Sequence, residues 1–595
     1  MSNSGQPDSE NQGNSQDDAA PSAKKRRSKP KQAVVIIHGI GEQVPMSTLR
    51  GFVDAVWVTD PNLIKETRPD GDTGEAPRRR NPVWTKPDRR NRSFELRRIT
   101  TEEDCNGVRT DFYEFYWAHL MHGNTFSQVW KWIVGLSRRP IAKVPGNVRS
   151  YYWLARYGVV FSVLLLLGLP SFLWQIFGFW DMIATMAFLL VVPVVFFFTV
   201  VRGALINVAG DVSRYVEPQT INVARRQEIR EAGVELFETL MGVTPEAIAG
   251  NKERARRNLP ARWDTNYGRI VVVGHSLGSI VGYDILKHAF ARINRMGLDR
   301  RATYPNRAAL EQYCDDALNN RTSGSPDFST SEYRRMQRDA FLELRDNGSP
   351  WIVSDFVTMG AALTHAEFLM AEDVDDLHRQ QAERIMPTCP PQLEWDRHTG
   401  KEYFSYRAVN VRALETDKHV RQLKEKWPGH FRVPQHAAHF AYTRWTNLYS
   451  PDYGPFKGDL VSGPVAEHFG MRKRATMAAK AAVFSGISDI KVLDHEDKTE
   501  VPAKRFTHLA YWELDGAKIK LSMKAQMMAP ARWVKSQVQR RVLDDPEDKQ
   551  RIPIEETPHH IVELRKAIDL LFDDELSEDE QKANRATDIG GGKSG

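Results

Sequence analysis

Residues 269–279 read Arg-Ile-Val-Val-Val-Gly-His-Ser-Leu-Gly-Ser, a β-branched apolar run that feeds into Gly274-His275-Ser276-Leu277-Gly278. A serine hydroxyl is a poor nucleophile unless geometry helps it. On a sharp turn between a strand and a helix, Ser276 would be pushed out of the sheet. The helix that follows would aim its N-terminus at the reacting oxygen. The glycines at 274 and 278 suit such a turn because a side chain at either position would crowd it. Residues 280–290 carry the apolar periodicity of that helix. His275 neighbours the serine, but its side chain should leave the turn in another direction, so it reads as a packing and hydrogen-bonding neighbour rather than as the base.

A second stretch complements the first. Residues 33–41 read Ala-Val-Val-Ile-Ile-His-Gly-Ile-Gly, a buried strand ending in His38-Gly39-Ile40-Gly41. Acyl transfer needs two N–H donors where the tetrahedral oxyanion forms. A glycine-lined loop after an early strand supplies one, and the residue after the nucleophile supplies the other. The expected donors are the amides of Ile40 and Leu277, with Gly39 opening the loop.

His38-Gly39 with its strand, the pentapeptide at 274–278, and Phe356-Val357-Thr358-Met359-Gly360 as a following core strand together resemble the α/β-hydrolase superfamily, in particular its lipase and esterase branch. The resemblance covers about half the chain and implies a mostly parallel sheet with helices on both faces. It also implies the order nucleophile, acid, histidine. The late strand would be 442–449, Tyr-Thr-Arg-Trp-Thr-Asn-Leu-Tyr, followed by Asp452 and then Asp459. Members of this branch often place the acid soon after a Trp-x-Asn strand, a pattern Asp459 fits better than Asp452, although both could be turn residues. After a further strand near 489–493, Phe506-Thr507-His508-Leu509-Ala510-Tyr511-Trp512 resembles the histidine loop. His508 would take the proton from Ser276 and return it to the leaving group. Among its competitors, His436 and His439 precede the late strand and His495 sits among charged residues.

The elements around these residues follow from composition. With 595 residues, 41% hydrophobic and 27% charged, most of the chain should fold as a globular unit, and a net charge of +6 gives little reason to expect a nucleic-acid partner. Three widely spaced cysteines, Cys105, Cys314 and Cys389, offer neither a disulfide framework nor a zinc spacing. The acidic run Glu372–Asp376 lacks the glycine and spacing of a calcium loop. Neither metal nor organic cofactor is expected. Residues 1–32, polar and then basic at Lys24-Lys25-Arg26-Arg27, read as a disordered tail.

Two uncharged stretches, 157–180 and 182–201, each reach the roughly 20 residues that span a ~30 Å hydrocarbon core. They predict transmembrane helices at about 157–178 and 182–202 within a membrane-associated insertion at 125–210. Arginines and lysines on both outer flanks predict an integral protein of the inner or plasma membrane, with both termini and the catalytic domain cytoplasmic. A hairpin also fits a sheet with strands on either side of the insertion, since the chain must then cross an even number of times. The hydrolase core would occupy 33–120 and 215–530, with a helical or lid insertion at 291–350. A C-terminal helical region and disordered tail would occupy 531–595. The functional expectation is a membrane-anchored serine hydrolase acting on lipid or other apolar esters through an acyl-enzyme on Ser276, with membrane lipid and a small apolar substrate as partners. The alternative is a non-catalytic membrane scaffold that retains the fold.

Overall fold

A computed structural model describes residues 29–39, 45–64, 80–87, 97–121, a few positions between 140 and 157, 215–216, 220–257, 259–298, 304–319, 328–397, 399–407, 432–451, 459, 461–472, 483–492, 508, 511–514 and 557–572. Eight strands form one mixed sheet: β1 (Lys31–Ile37), β2 (Val83–Pro87), β3 (Arg97–Glu103), β4 (Arg109–Phe115), β5 (Tyr267–His275), β6 (Val353–Met359), β7 (Arg444–Tyr449) and β8 (Ser488–Lys491). Their order across the sheet is β8-β7-β6-β5-β1-β4-β3-β2. The strands from β8 to β4 are mutually parallel, and β3 and β2 add an antiparallel edge. From β5 the chain builds outward on one side through β6, β7 and β8, whereas β1 has β4 on its other flank. The carboxyl ends of β1 and β5 therefore meet where the connections diverge, which is where sheets of this kind bind ligands.

The strand β1 shows why the sheet needs two covering layers. Ala33, Val35 and Ile37 face a core that includes Phe237 and Leu240 of α2 (Thr220–Leu240) and Ile280 and Val281 of α4 (Leu277–Ile293). Val34 and Ile36 face Leu49 and Phe52 of α1 (Ser47–Val53) and Ile561, Leu564 and Ile568 of α7 (His559–Ile568). A strand buried on both faces reads as a continuous apolar run, as this one does. Between α2 and α3 (Pro245–Arg256), Gly242 takes a positive φ of 71°, which separates the two helices.

One expectation changes. Among the described residues no helix is long and apolar enough to cross a membrane. The transmembrane hairpin is therefore withdrawn, and with it the integral-membrane placement and the cytoplasmic orientation. The expected spans, apart from Tyr157, lie outside the described residues. The longest described helix, α2, spans 21 residues but carries Arg225, Arg226, Glu228, Arg230, Glu231, Glu235 and Glu238. An uncharged run meets a necessary condition for spanning, not a sufficient one, because the same run serves a buried element.

The stretch 291–350, expected as a helical or lid insertion, is helical in part. Its helices α5 (Pro305–Asn319) and α6 (Thr330–Asp346) form part of the covering layer. Arg334 of α6 donates to the Trp445 carbonyl, which the described contacts place against β7, and Tyr333 Oη donates to the Phe440 carbonyl at 2.7 Å. Of its arginines, Arg307 and Arg334 donate to backbone carbonyls, whereas the more exposed Arg335 pairs with Glu332 and Asp339.

At the amino ends of β5, β6 and β7, buried Asp355 accepts from Arg269 at 2.6 Å and from Arg444 at 2.8 Å. Arg269 also donates to the Ile568 carbonyl at 3.1 Å, which fastens α7 to the sheet. Burial alone would raise the Asp355 pKa, but the Arg444 and Arg269 guanidiniums outweigh it and hold the carboxyl well below the usual range. The resulting stability is present above the ordinary carboxylate pKa and is lost as pH falls through the depressed folded value. Replacing Asp355 by Ala removes the carboxylate partner of buried Arg269 and leaves Arg444 only its contact with Asp569 at 3.3 Å, and should cost about 3–5 kcal/mol. Denaturant unfolding at neutral pH measures this, and the variant's deficit relative to wild type should shrink as pH is lowered into the acid transition.

Candidate active site

β5 ends at His275, and α4 begins at Leu277. Ser276 makes the whole turn between them, with φ 54° and ψ −126°. Such a conformation costs a non-glycine residue about 1–3 kcal/mol and persists only where surroundings impose it. Here the Ser276 amide donates to the Met359 carbonyl at 3.0 Å, and the Ser276 carbonyl accepts from the Ser279 amide at 3.0 Å and from Ser279 Oγ at 2.6 Å. The turn also needs close passage of the neighbouring strand. A Cβ on Gly278 would lie 2.2 Å from the Ile37 carbonyl oxygen, and one on Gly39 would lie 2.8 Å from Ser276 Cβ. Gly274, paired with Ile37, lets the chain fold back over Ser279.

Ser276 Oγ lies 2.9 Å from Nε2 of His508. Nδ1 of the same ring lies 3.0 Å from Oδ1 and 2.9 Å from Oδ2 of Asp459. The arrangement fits a ring that donates from Nδ1 to the carboxylate and accepts the serine proton at Nε2. All three side chains are buried or nearly so, with Asp459 fully enclosed. Burial would raise the Asp459 pKa, but His508, Tyr511 and the Val461 amide more than compensate, so the carboxyl sits below its ordinary value and is ionised at neutral pH. The structure thus brings Ser276, Asp459 and His508 together, from the ends of β5, β7 and the chain beyond β8. Asp452 and His495 lie outside the described residues. His436 is exposed, and His439 is buried against Phe290 near the far end of α4.

Leu277 opens α4, so its amide is one of the first-turn N–H groups that a helix leaves without an internal acceptor. Ile40 lies outside the described residues. The loop leading to it is fixed by His38, whose ring stacks on Trp117 with centroids 5.2 Å apart. The Trp117 amide donates to Nε2 at 3.2 Å, which leaves Nδ1–H to donate to the Gly39 carbonyl at 2.8 Å. Burial lowers the His38 pKa to about 4, so this ring is neutral.

Several contributing residues escaped the sequence reading. Tyr511 Oη donates to Asp459 Oδ2 at 2.8 Å and accepts from the Ser450 amide at 3.1 Å. Asn447 accepts from Thr358 Oγ1 at 2.9 Å and donates to the Gly463 carbonyl at 2.9 Å and to Asp489 at 2.7 Å. It ties β6, β8 and the loop that carries Asp459 to β7. The Trp-x-Asn pattern was the signal for this, since Trp445 Nε1 also donates to Thr358 Oγ1, at 3.1 Å. Gly360 ends β6 with φ 54°, and a Cβ there would lie 3.1 Å from both Asp459 Oδ2 and His508 Nδ1 and 2.8 Å from the Tyr511 ring.

No cluster of His, Cys, Asp and Glu among the described residues could hold a metal ion. What the three side chains can do is move one proton between a hydroxyl and an imidazole while a carboxylate stabilises the resulting cation. Comparison with family models, with curated proteins and with solved structures finds no match to this chain. Gly360→Ala should disrupt the Asp459–His508 pair. Reactivity of Ser276 is expected to fall by about 10²-fold, as for misplacement of a reacting group by an ångström. The rate of covalent labelling of Ser276 measures it, with far-ultraviolet circular dichroism confirming that the fold survives.

Proposed function

We propose that this chain is a serine hydrolase of the α/β-hydrolase type that cleaves carboxylic esters through an acyl-enzyme on Ser276. The observation that carries the reading is the continuous chain Ser276–His508–Asp459, with contacts of 2.9 Å at each link, set behind a strained strand-to-helix turn. Nucleophile, base and orienting acid within hydrogen-bond reach are the signature of an activated hydroxyl.

In this reading Ser276 Oγ attacks the ester carbonyl as His508 Nε2 takes its proton. The imidazolium is stabilised by Asp459, and the developing oxyanion meets the amide of Leu277 and, from the sequence pattern, that of Ile40. The tetrahedral species collapses to the acyl-enzyme, and His508 passes its proton to the departing alkoxide. Water, deprotonated by the same imidazole, then releases the acid. No step requires a metal or organic cofactor.

What supports an apolar ester as the substrate is the character of the residues beside the strand ends. Trp117, Leu277, Ala361 and Ala362 are buried and apolar, and each follows closely on β4, β5 or β6. Such surroundings suit an apolar acyl group. The test is a fluorophosphonate probe, which phosphonylates activated serines. Wild-type protein should label at Ser276 and Ser276→Ala should not. His508→Ala should label at least about 10³-fold more slowly. Folded wild-type protein that resists the probe would instead support a binding protein that retains the fold without its chemistry.

A further inference from the structure

We propose that His275, the residue before the nucleophile, is the positioning residue for the base: its side chain holds the backbone of His508 so that the imidazole stays aligned on Ser276. The proposal rests on the hydrolase reading above for its catalytic meaning, though its geometry is independent of that reading. His275 Nε2 lies 2.7 Å from the His508 carbonyl oxygen. A carbonyl can only accept, so Nε2 carries the proton and donates. The opposite nitrogen, Nδ1, faces the loop after β1, where a Cβ on Gly39 would come within 3.2 Å of it.

The rest of the ring is enclosed by the same segment. Its centroid lies 5.0 Å from that of His508 and 4.8 Å from the edge-on indole of Trp512. Trp512 is in turn lodged against α1, where a Cβ on Gly51 would sit 3.1 Å from the indole. The group is 4% exposed, and burial lowers its pKa to about 3, with the neighbouring His508 acting in the same direction. It therefore remains a neutral donor throughout the range in which a serine hydrolase works, and it does not compete for the serine proton.

The arrangement has a mechanical consequence. Ser276 and His275 are adjacent on one rigid strand end, so the nucleophile and the tether of its base move together. His508 comes from far along the chain, beyond β8, yet its carbonyl is fixed to the same turn. A displacement of about 1 Å between such groups can cost about 10²-fold in rate.

The experiment uses the full-length protein and two readouts: the rate of fluorophosphonate labelling of Ser276, and the low-field proton resonance of His508 Nδ1–H in the resting protein. His275→Leu removes the donor while filling the space. Labelling should fall by about 10- to 100-fold, and the resonance should shift or broaden. His275→Gln, whose amide reaches the same carbonyl, should restore most of the rate and the resonance, whereas His275→Asn, one bond shorter, should not. Should His275→Leu fail to fold, the Gln and Asn pair decides the matter. Wild-type labelling in His275→Leu overturns the proposal, and so does identical behaviour of the Gln and Asn variants. A slower rate with an unchanged resonance also overturns it, because the base has then stayed in place. If wild-type protein does not label at all, the hydrolase reading fails, and the resonance of the three variants still judges the tether.

Discussion

The site depends on one backbone conformation, that of Ser276 at φ 54°. An L-residue there is strained, and the surrounding structure must supply what the residue would otherwise lose. It does so through the Met359 carbonyl on one side and the Ser279 amide and hydroxyl on the other. It also brings β1 close enough that neither Gly39 nor Gly278 could carry a side chain without collision. Relaxing the turn would withdraw Oγ from the imidazole and move the start of α4, so nucleophile, amide donor and helix N-terminus are set by the same constraint.

The remaining groups are hung from strand ends by polar contacts. Asn447 links three parallel strands to the segment around Gly463, and that segment begins with Asp459. Tyr511 then bridges Asp459 to the chain end of β7 through the Ser450 amide. A buried carboxylate so surrounded has its oxygens satisfied, which keeps it ionised and immobile. The opposite ends of the strands carry the Arg269–Asp355–Arg444 cluster, so one edge of the sheet holds structural charge and the other holds the candidate chemistry.

Much of the elbow could be read from sequence because its demands are local. A β-branched run, two glycines and a helical periodicity occupy consecutive positions, and no distant residue is needed to recognise them. His38-Gly39 was legible for the same reason. The acid was harder: Asp452 and Asp459 both stand in turn chemistry, and only the path of the chain places Asp459 against His508. Asn447 stood out only as part of the Trp-x-Asn pattern, and Gly360 and Tyr511 gave no local sign of their roles, since each acts through contacts across tens of residues. The region 291–350 read only as a helical or lid insertion, because polar side chains read alike whether they meet water or, like Arg334, a buried carbonyl. The apolar stretches near 157–202 were read as a membrane hairpin from hydropathy, run length, basic flanks and the need for an even number of crossings. Hydropathy reports the absence of charge and carries no information about what covers the segment, and no described helix meets the requirement for a span.

The central claim is that Ser276 forms a covalent acyl intermediate. The direct measurement is rapid-quench mass spectrometry after mixing the protein with an activated apolar ester such as a p-nitrophenyl acyl ester. The account predicts a burst of nitrophenol equal to the protein concentration, and a matching acyl mass increase on the peptide that contains Ser276. Turnover without that adduct, or an acyl group on any other residue, contradicts it.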